Sequence, residues 1–137
     1  MSAVIDHPVQ ARLIADPPVG RSVTATLRYD GDDPLAVRVV FPAEASLDGS
    51  EVAWAFARDL LADGLREPAG EGDVQVWPSE PGHTALGLYC AEGVAVLEFR
   101  SAELRAFLAG SYELVPAGTE QLRLRLDDVL AALLREV

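Results

Sequence analysis

Histidine and cysteine, which often carry metal-binding or nucleophilic chemistry, are scarce in this chain of 137 residues. The two histidines, His7 and His83, belong to no HExxH or Cys-x-x-Cys arrangement, so their spacing predicts loop histidines and no dedicated metal site. Cys90 continues the apolar alternation of Leu86 and Leu88. No basic residue or helix N-terminus is placed to activate its thiol, so we expect Cys90 to be a small core residue.

Two further segments resemble ligand sites at first sight. The acidic turn at residues 30–33 lacks the spacing and the twelfth-position glutamate of a calcium-binding EF-hand loop, so it predicts a turn. The glycine pair Gly70 and Gly72 precedes a strand and not a helix, which is the wrong context for binding phosphate. No serine lies in a GxSxG motif. These patterns predict no catalytic residue, no cofactor and no metal, and we expect a protein that is not an enzyme.

The balance of charge argues against one class of partner. The chain carries 22 acidic residues against 11 basic ones, a net charge of −11, and every basic residue is arginine. Such a field repels phosphate backbones, so nucleic acid is not expected as a partner. We interpret the charge as a means of solubility in preference to a partner that seeks acidic surfaces.

Composition also predicts the compartment and the number of domains. One cysteine, no signal peptide and no apolar run of spanning length favour a reducing cytosol without direct membrane insertion. Half of the residues are apolar, enough for one hydrophobic core. We expect a single domain over residues 1–137, in which residues 1–8 are either flexible or an extension of the first strand.

The other elements are organised around the stretch from residue 52 to residue 78. The alternation Val-Ala-Trp-Ala-Phe-Ala predicts a strand with one strongly apolar face. Helical spacing follows as far as Gly64, which we expect to end the helix in the left-handed conformation, with Leu65 folded back on Leu60. A glycine-rich turn then leads to a strand that Pro78 closes.

Alternating residues and turn residues predict the rest of the fold. Strands are predicted at 9–13, 23–29, 35–41, 52–56, 74–77, 84–90, 94–100 and 122–126, and helices at 57–64, 101–110 and 127–134. Ser101 and Asp127 are expected to cap the second and third helices. Two strand-rich blocks, each ending in a helix, indicate an α+β fold with antiparallel β-sheets and two or three helices.

Charged residues at two element ends allow a structural or a binding interpretation. Arg58 and Asp59 begin the first helix, while Arg28 and Asp30 flank the first hairpin. They could form a polar patch for a partner, or surface ion pairs worth less than ~1 kcal/mol each, and we prefer the ion pairs. For the aromatic residues Trp54, Phe56 and Trp77, we prefer core packing to base stacking, because no basic residues are interleaved with them.

Three segments in order make the chain resemble the SsgA-like sporulation and cell-division proteins of actinomycetes: LRYDGDDPLAV from Leu27, VAWAFARDLLADGLREPAGEGDVQVWP from Val52, and PAGTE from Pro116. The resemblance covers roughly residues 23–134. We interpret the positions that match the family pattern as fold determinants, and they include Arg28, Tyr29, Asp30, Asp33, Pro34, Trp54, Phe56, Arg58, Asp59, Leu60, Leu61, Gly72, Asp73, Trp77 and Pro78.

This resemblance implies both a fold and a function. The implied fold is Whirly-like, with two strand-rich units each followed by a helix, and it assembles as an intertwined homotrimer. The implied function is that of a non-enzymatic adaptor in the cytoplasm, which localises the septum machinery by recruiting FtsZ together with a membrane-associated SsgA-like relative. The alternative is a single-stranded nucleic-acid binder, which rests on similarity of fold alone.

Overall fold

In the computed structural model, residues 3–14, 21–43, 49–91 and 93–135 are described. The α+β class and the antiparallel pairing expected from the sequence are confirmed. The strands are Val4–Leu13 (β1), Arg21–Asp30 (β2), Ala36–Phe41 (β3), Val52–Ala57 (β4), Val74–Glu80 (β5), His83–Cys90 (β6) and Gly93–Arg100 (β7). The helices are Arg58–Gly64 (α1), Ser101–Leu114 (α2) and Glu120–Arg135 (α3).

All of these strands belong to one seven-stranded sheet in the order β4-β3-β2-β1-β7-β6-β5. Every pair of neighbours is antiparallel. The pairing of β1 with β7, at Arg12 with Glu98 and Leu13 with Leu97, joins the strands before α1 to those after it. β1 begins at Val4, so residues 4–8 extend the predicted first strand, while residues 1 and 2 lie outside the described residues.

The short helix α1 shows that the sheet is strongly curled. β4 and β5 are opposite edges, which a flat sheet of seven strands would hold about 29 Å apart. Yet α1 follows β4 directly, rises only about 10 Å, and packs against β5. Residues from both edges therefore meet around one small internal void, which is lined by Leu27, Val39, Phe56, Leu61, Val76, Thr84, Leu86, Phe99 and Leu104.

Gly64 is the last residue of α1, as predicted, but its role differs from the one predicted. Its φ is not positive, and Leu65 after it is right-handed helical with φ −71°, so the expected left-handed stop is wrong. A Cβ at Gly64 would lie 2.3 Å from Cγ1 of Val76. The missing side chain therefore lets α1 approach β5 closely, which a sequence pattern cannot reveal.

The C-terminal part of the chain is helical where a strand was predicted. Residues 122–126 belong to α3, which begins at Glu120, so Asp127 lies inside the helix and does not cap it. The prediction was wrong because Leu122 and Leu126 alternate with arginines but also lie four residues apart, a spacing that fits a helix face equally well.

Two other predicted element ends also differ. α2 continues through Gly110 to Leu114. Its N-cap residue is Arg100, which makes no side-chain capping hydrogen bond, so the predicted cap at Ser101 is wrong. The hydroxyl of Ser101 is instead 2.7 Å from that of Thr84 in the interior, where both residues are buried. The strand β5 runs through Pro78 to Glu80 and is not closed by the proline.

The close approach at Gly64 yields a prediction for stability. We expect Gly64→Ala to destabilise the fold by about 1–3 kcal/mol, because the new methyl group overpacks Val76 on β5. Urea unfolding at a fixed protein concentration measures the loss. Gly72→Ala is the matched control, since a Cβ there meets nothing within 4 Å, and it should change the free energy of unfolding by no more than about 0.5 kcal/mol. Equal stability of the two variants would contradict the packing role of Gly64.

Candidate protein-interaction site

Arg58, the first residue of α1, is buried, with an exposed fraction of only 1%. Its backbone N–H donates to the carbonyl of Leu35 at 2.8 Å, which fixes the start of the helix against the β2–β3 hairpin. Its guanidinium reaches the junction of α2 and α3. Nη1 donates to the carbonyl oxygens of Ser111 at 3.2 Å and Val115 at 2.8 Å. Nη2 donates to Oε1 of Glu120 at 2.5 Å.

Two tyrosine rings flank this buried cation. The guanidinium carbon lies 4.9 Å from the ring centroid of Tyr29 and 4.5 Å from that of Tyr112. Tyr29 is fully buried and its hydroxyl donates to the carbonyl of Pro34 at 2.9 Å, so the ring is held in place. A planar cation that stacks on rings and donates in several directions suits arginine and not lysine. The family-pattern residues Tyr29, Pro34 and Arg58 thus belong to one structural unit.

Glu120 is the anionic member of this unit and the first residue of α3. Its second carboxylate oxygen accepts a hydrogen bond of 2.9 Å from the backbone N–H of Gly118. The hydrogen bond from Arg58, helped by backbone N–H groups, holds the pKa of Glu120 below its ordinary value, against the opposing effect of burial. Burial raises the pKa of Tyr112, although Arg58 partly offsets this effect. The ion pair therefore fixes the point from which α3 leaves the body of the protein.

One face of α3 is apolar and open to solvent. Six large apolar side chains on it are each more than half exposed, namely Leu122, Leu126, Val129, Leu130, Leu133 and Leu134. We call these six residues the α3 apolar face. Four of them, Leu122, Leu126, Val129 and Leu133, follow one another at intervals of four, three and four residues, the pattern of a helix that packs against another helix. A contiguous exposed apolar surface of this kind is typical of a protein-interaction site.

The surface ion pairs differ from those predicted. Arg28 does not pair with Asp30; its Nε donates to Asp6 Oδ1 at 2.7 Å, and this contact raises the pKa of Arg28. Asp30 instead accepts the backbone N–H of Asp32 at 2.9 Å within the turn. Arg38 pairs with Asp33 at 2.8 Å.

The expectation that Arg58 belongs to a surface ion pair is wrong. Asp59 is exposed, while Arg58 is bonded to Glu120, 62 positions away in the sequence. One signal of a buried role is visible along the chain: Arg58 is placed between the strongly apolar β4 and the leucines of α1. Nothing in that pattern identified Glu120 as its partner.

Other predicted residues are distributed between the core and the surface. Phe56 and Leu61 are buried, and Trp54 and Leu60 pack against the same core. Trp77 faces outward from β5 and lines a surface groove, so its predicted place in the core is wrong. Gly72 and Asp73 are exposed just before β5.

The histidine and cysteine predictions also need correction. His7 lies within β1, with Nε2 2.7 Å from Oε2 of Glu103 on α2, and His83 begins β6, so neither is a loop histidine. Cys90 is exposed, because it is the last residue of β6 beside the hairpin turn, where alternation no longer ensures burial.

Among the described residues, one group of side chains has potential metal-ligand atoms close together: Glu80, His83 and Glu98, within 4.8 Å. Glu98 already accepts from Nη2 of Arg12 at 2.7 Å and from the hydroxyl of Ser79 at 2.9 Å. This group is therefore part of an ion-pair and hydrogen-bond network in which each oxygen of the buried Glu98 carboxylate accepts a hydrogen bond.

The buried network yields a prediction for stability. Arg58→Met should lower the free energy of unfolding by about 3–5 kcal/mol, because it leaves the Glu120 carboxylate and two carbonyls without their cationic donor. Adding Glu120→Leu should recover part of the loss, since it removes the unpaired charge. Urea unfolding of both variants checks this. If adding Glu120→Leu to Arg58→Met lowered the free energy of unfolding further instead of raising it, the two side chains would not be coupled.

The lowered pKa of Glu120 gives a separate prediction for pH dependence. The unfolded carboxyl titrates near 4.5, and the folded one titrates below this value. The stability that Glu120 contributes is therefore fully present above that pH and is lost as the pH falls through the folded pKa. The stability difference between the wild type and Glu120→Gln should shrink between pH 6 and pH 3. A difference that stayed constant over this range would contradict the assignment.

None of the helices in the described residues has both the length and the apolar composition that crossing a membrane requires.

Comparison with known proteins places this arrangement in a family. Residues 23–120 match the family model described as Streptomyces sporulation and cell division protein, SsgA. The chain is 40% identical to the sporulation-specific cell division protein SsgB of Streptomyces coelicolor, over 99% of each chain. It is 44% identical to SsgB of Salinispora tropica, over 90% of this chain and 87% of that protein.

Solved structures agree with this result. An SsgA-like sporulation-specific cell division protein from Thermobifida fusca superimposes with a TM-score of 0.84 at 36% identity, over 96% of each chain. A structure from a study of SsgB mutations that correlate with longitudinal cell division in Streptomyces coelicolor gives a TM-score of 0.80 at 38% identity, over 90% of this chain and 97% of that one. The chain therefore belongs to the SsgA family of sporulation and cell division proteins.

Proposed function

We propose that this protein is a non-catalytic adaptor of sporulation-specific cell division, which localises the septum machinery by recruiting FtsZ. Its relatives are named sporulation-specific cell division proteins. The observation that carries the adaptor function is the α3 apolar face, an interaction surface that the Arg58–Glu120 pair attaches to the folded body. The terminal nitrogens of Arg58 donate to Glu120 and to backbone carbonyls, and the carboxylate of Glu120 accepts from Arg58 and from the N–H of Gly118, which is an arrangement suited to holding structure in place.

Self-association is the first role that we assign to the α3 apolar face. Each copy carries a net charge of −11, so copies repel one another at long range and need a contiguous apolar contact to associate. The stripe of leucines and valine on α3 has the spacing for helix-to-helix packing. We propose that the assembly is a homotrimer of single SsgA-like domains with a Whirly-like arrangement, in which α3 contributes to the contact between copies.

We further propose that the protein acts in the cytoplasm at the division septum and reaches it through partners, among them a membrane-associated SsgA-like relative. The acidic surface supports protein partners over nucleic acid, because phosphate backbones are repelled. For that reason single-stranded nucleic-acid binding is not a second candidate function.

The adaptor function is tested by sedimentation of assembling FtsZ. Adding this protein should increase the mass of FtsZ in the pellet, and the protein itself should appear there only when FtsZ is present. A fluorescent fusion should form foci at sporulation septa. An unchanged FtsZ pellet together with diffuse fluorescence would contradict the proposal.

Self-association is tested separately by light scattering coupled to size exclusion. The wild type should have three times the 14.6 kDa mass of one chain. The double variant Leu126→Glu, Leu130→Glu should have a lower mass, because it places charges in the centre of the α3 apolar face. Val94→Glu is the matched control, an exposed apolar residue at the start of β7, and it should keep the wild-type mass. A wild-type monomer would overturn this part of the proposal.

A further inference from the structure

A second open surface lies on the outer face of the sheet and shares no residue with the network around Arg58 and Glu120. It is a groove of about 310 Å³ beside β5 and β6. Pro68 and Gly70 form one wall, while Gln75 and Trp77 on β5 and Tyr89 on β6 line the rest. The wall is fastened to the sheet by two hydrogen bonds between Ala69 and Val76, of 2.8 and 2.9 Å. We call this surface the β5–β6 groove.

Gly87 shapes the floor of this groove. It lies opposite Gln75 in the register of β5 and β6. A Cβ at Gly87 would be 3.0 Å from Cζ3 of Trp77 and 3.0 Å from Cε2 of Tyr89. The absence of a side chain at this position therefore lets two aromatic rings converge over the sheet, with a carboxamide beside them.

The polar atoms of these three side chains are available to a ligand. The indole N–H of Trp77, the hydroxyl of Tyr89 and the carboxamide of Gln75 make no hydrogen bond to any residue that the structure describes. All three side chains are partly exposed. A groove with two rings and three hydrogen-bond donors fits a ligand that offers apolar rings and unpaired carbonyl groups.

A polyproline II segment has that chemistry. Its backbone carbonyls make no internal hydrogen bonds, and its prolines have no N–H to leave unsatisfied. Proline-rich segments dock into aromatic-lined grooves, and because they are extended before binding, they lose little conformational entropy.

Charge selects among such segments. The chain that flanks the groove carries the exposed acidic residues Glu67, Glu71 and Asp73. The nearby Arg66 is paired with Asp63 at 2.8 Å, which offsets its charge. A segment with arginines beside its prolines is therefore attracted, while the phosphates of a nucleic acid are repelled.

We propose that the β5–β6 groove binds a proline-rich, arginine-containing segment of a partner protein in the polyproline II conformation. The inference rests on the proposed function, in that the chain acts by binding other proteins, and it gives the chemistry of one partner segment.

The test uses the full-length ¹⁵N-labelled protein and the synthetic peptide RPPLPPRPPR. Two tryptophans are present, Trp54 against the core and Trp77 in the groove, so each spectrum contains an internal control. On addition of peptide, the indole N–H resonance of Trp77 should shift in a saturable way, and that of Trp54 should stay in place. Binding without a shift at Trp77 would place the peptide elsewhere and overturn the proposal.

Variants and control ligands separate specific docking from attraction by charge. Tyr89→Ala should weaken binding about tenfold, as expected when a central aromatic contact is lost. Gln75→Ala, which keeps both rings and should fold even if Tyr89→Ala does not, should weaken binding severalfold. Gln10→Ala on the exposed part of β1 is its matched control and should bind as the wild type does. Equal binding of RAALAARAAR, or an equal Trp77 shift with oligothymidine, would overturn the proposal.

The outcome can be read independently of the adaptor function. If FtsZ sediments with the wild type but the peptide leaves Trp77 unchanged, the groove proposal fails and the adaptor proposal stands. If the peptide binds as expected but FtsZ does not sediment with the protein, the groove proposal stands and the FtsZ-recruiting function fails.

Discussion

The buried ion pair between Arg58 and Glu120 is the interaction on which the placement of the helices depends. Removing two charges from water is costly, so such a pair is a weak source of stability in itself. Here the cost is offset by two carbonyl acceptors, the N–H of Gly118 and the rings of Tyr29 and Tyr112. The pair instead fixes the position of Glu120, because its carboxylate must lie within hydrogen-bonding distance of the Arg58 guanidinium. The first turn of α3 is thereby fixed relative to α1.

The same short helix also closes the sheet. α1 has only seven residues, yet it joins the two edge strands through Leu61 in the core and the glycine contact with Val76. Its first residue is Arg58 and its last is Gly64. A helix this short has little stability of its own, so its geometry depends on these tertiary contacts at both ends. Closure of the sheet and placement of α3 are therefore linked through about two turns of helix.

The sequence predicted what depends on neighbours along the chain. Alternation located the strands around Leu27, Val39, Phe56 and Phe99, because a half-buried strand shows its period in consecutive residues. It could not predict that Arg58 meets Glu120, since that contact spans 62 positions. Nor could it decide between strand and helix at residues 122–126, where leucines fit both periods. The outward placement of Trp77 depends on the space above Gly87, which only the paired strands create.

The α3 apolar face and the β5–β6 groove are each positioned by contacts at a different end of α1. Arg58 at its start holds the α3 apolar face, and Gly64 at its end packs on Val76, whose backbone binds the Ala69 wall of the β5–β6 groove. An adaptor must contact more than one molecule at once, and two surfaces that share no residue meet this requirement without competition. Their chemistry also differs, since one is aliphatic while the other combines rings and donors within an acidic environment. The proposed adaptor can thus act through two unlike contacts whose separation is set by the tertiary contacts at both ends of α1.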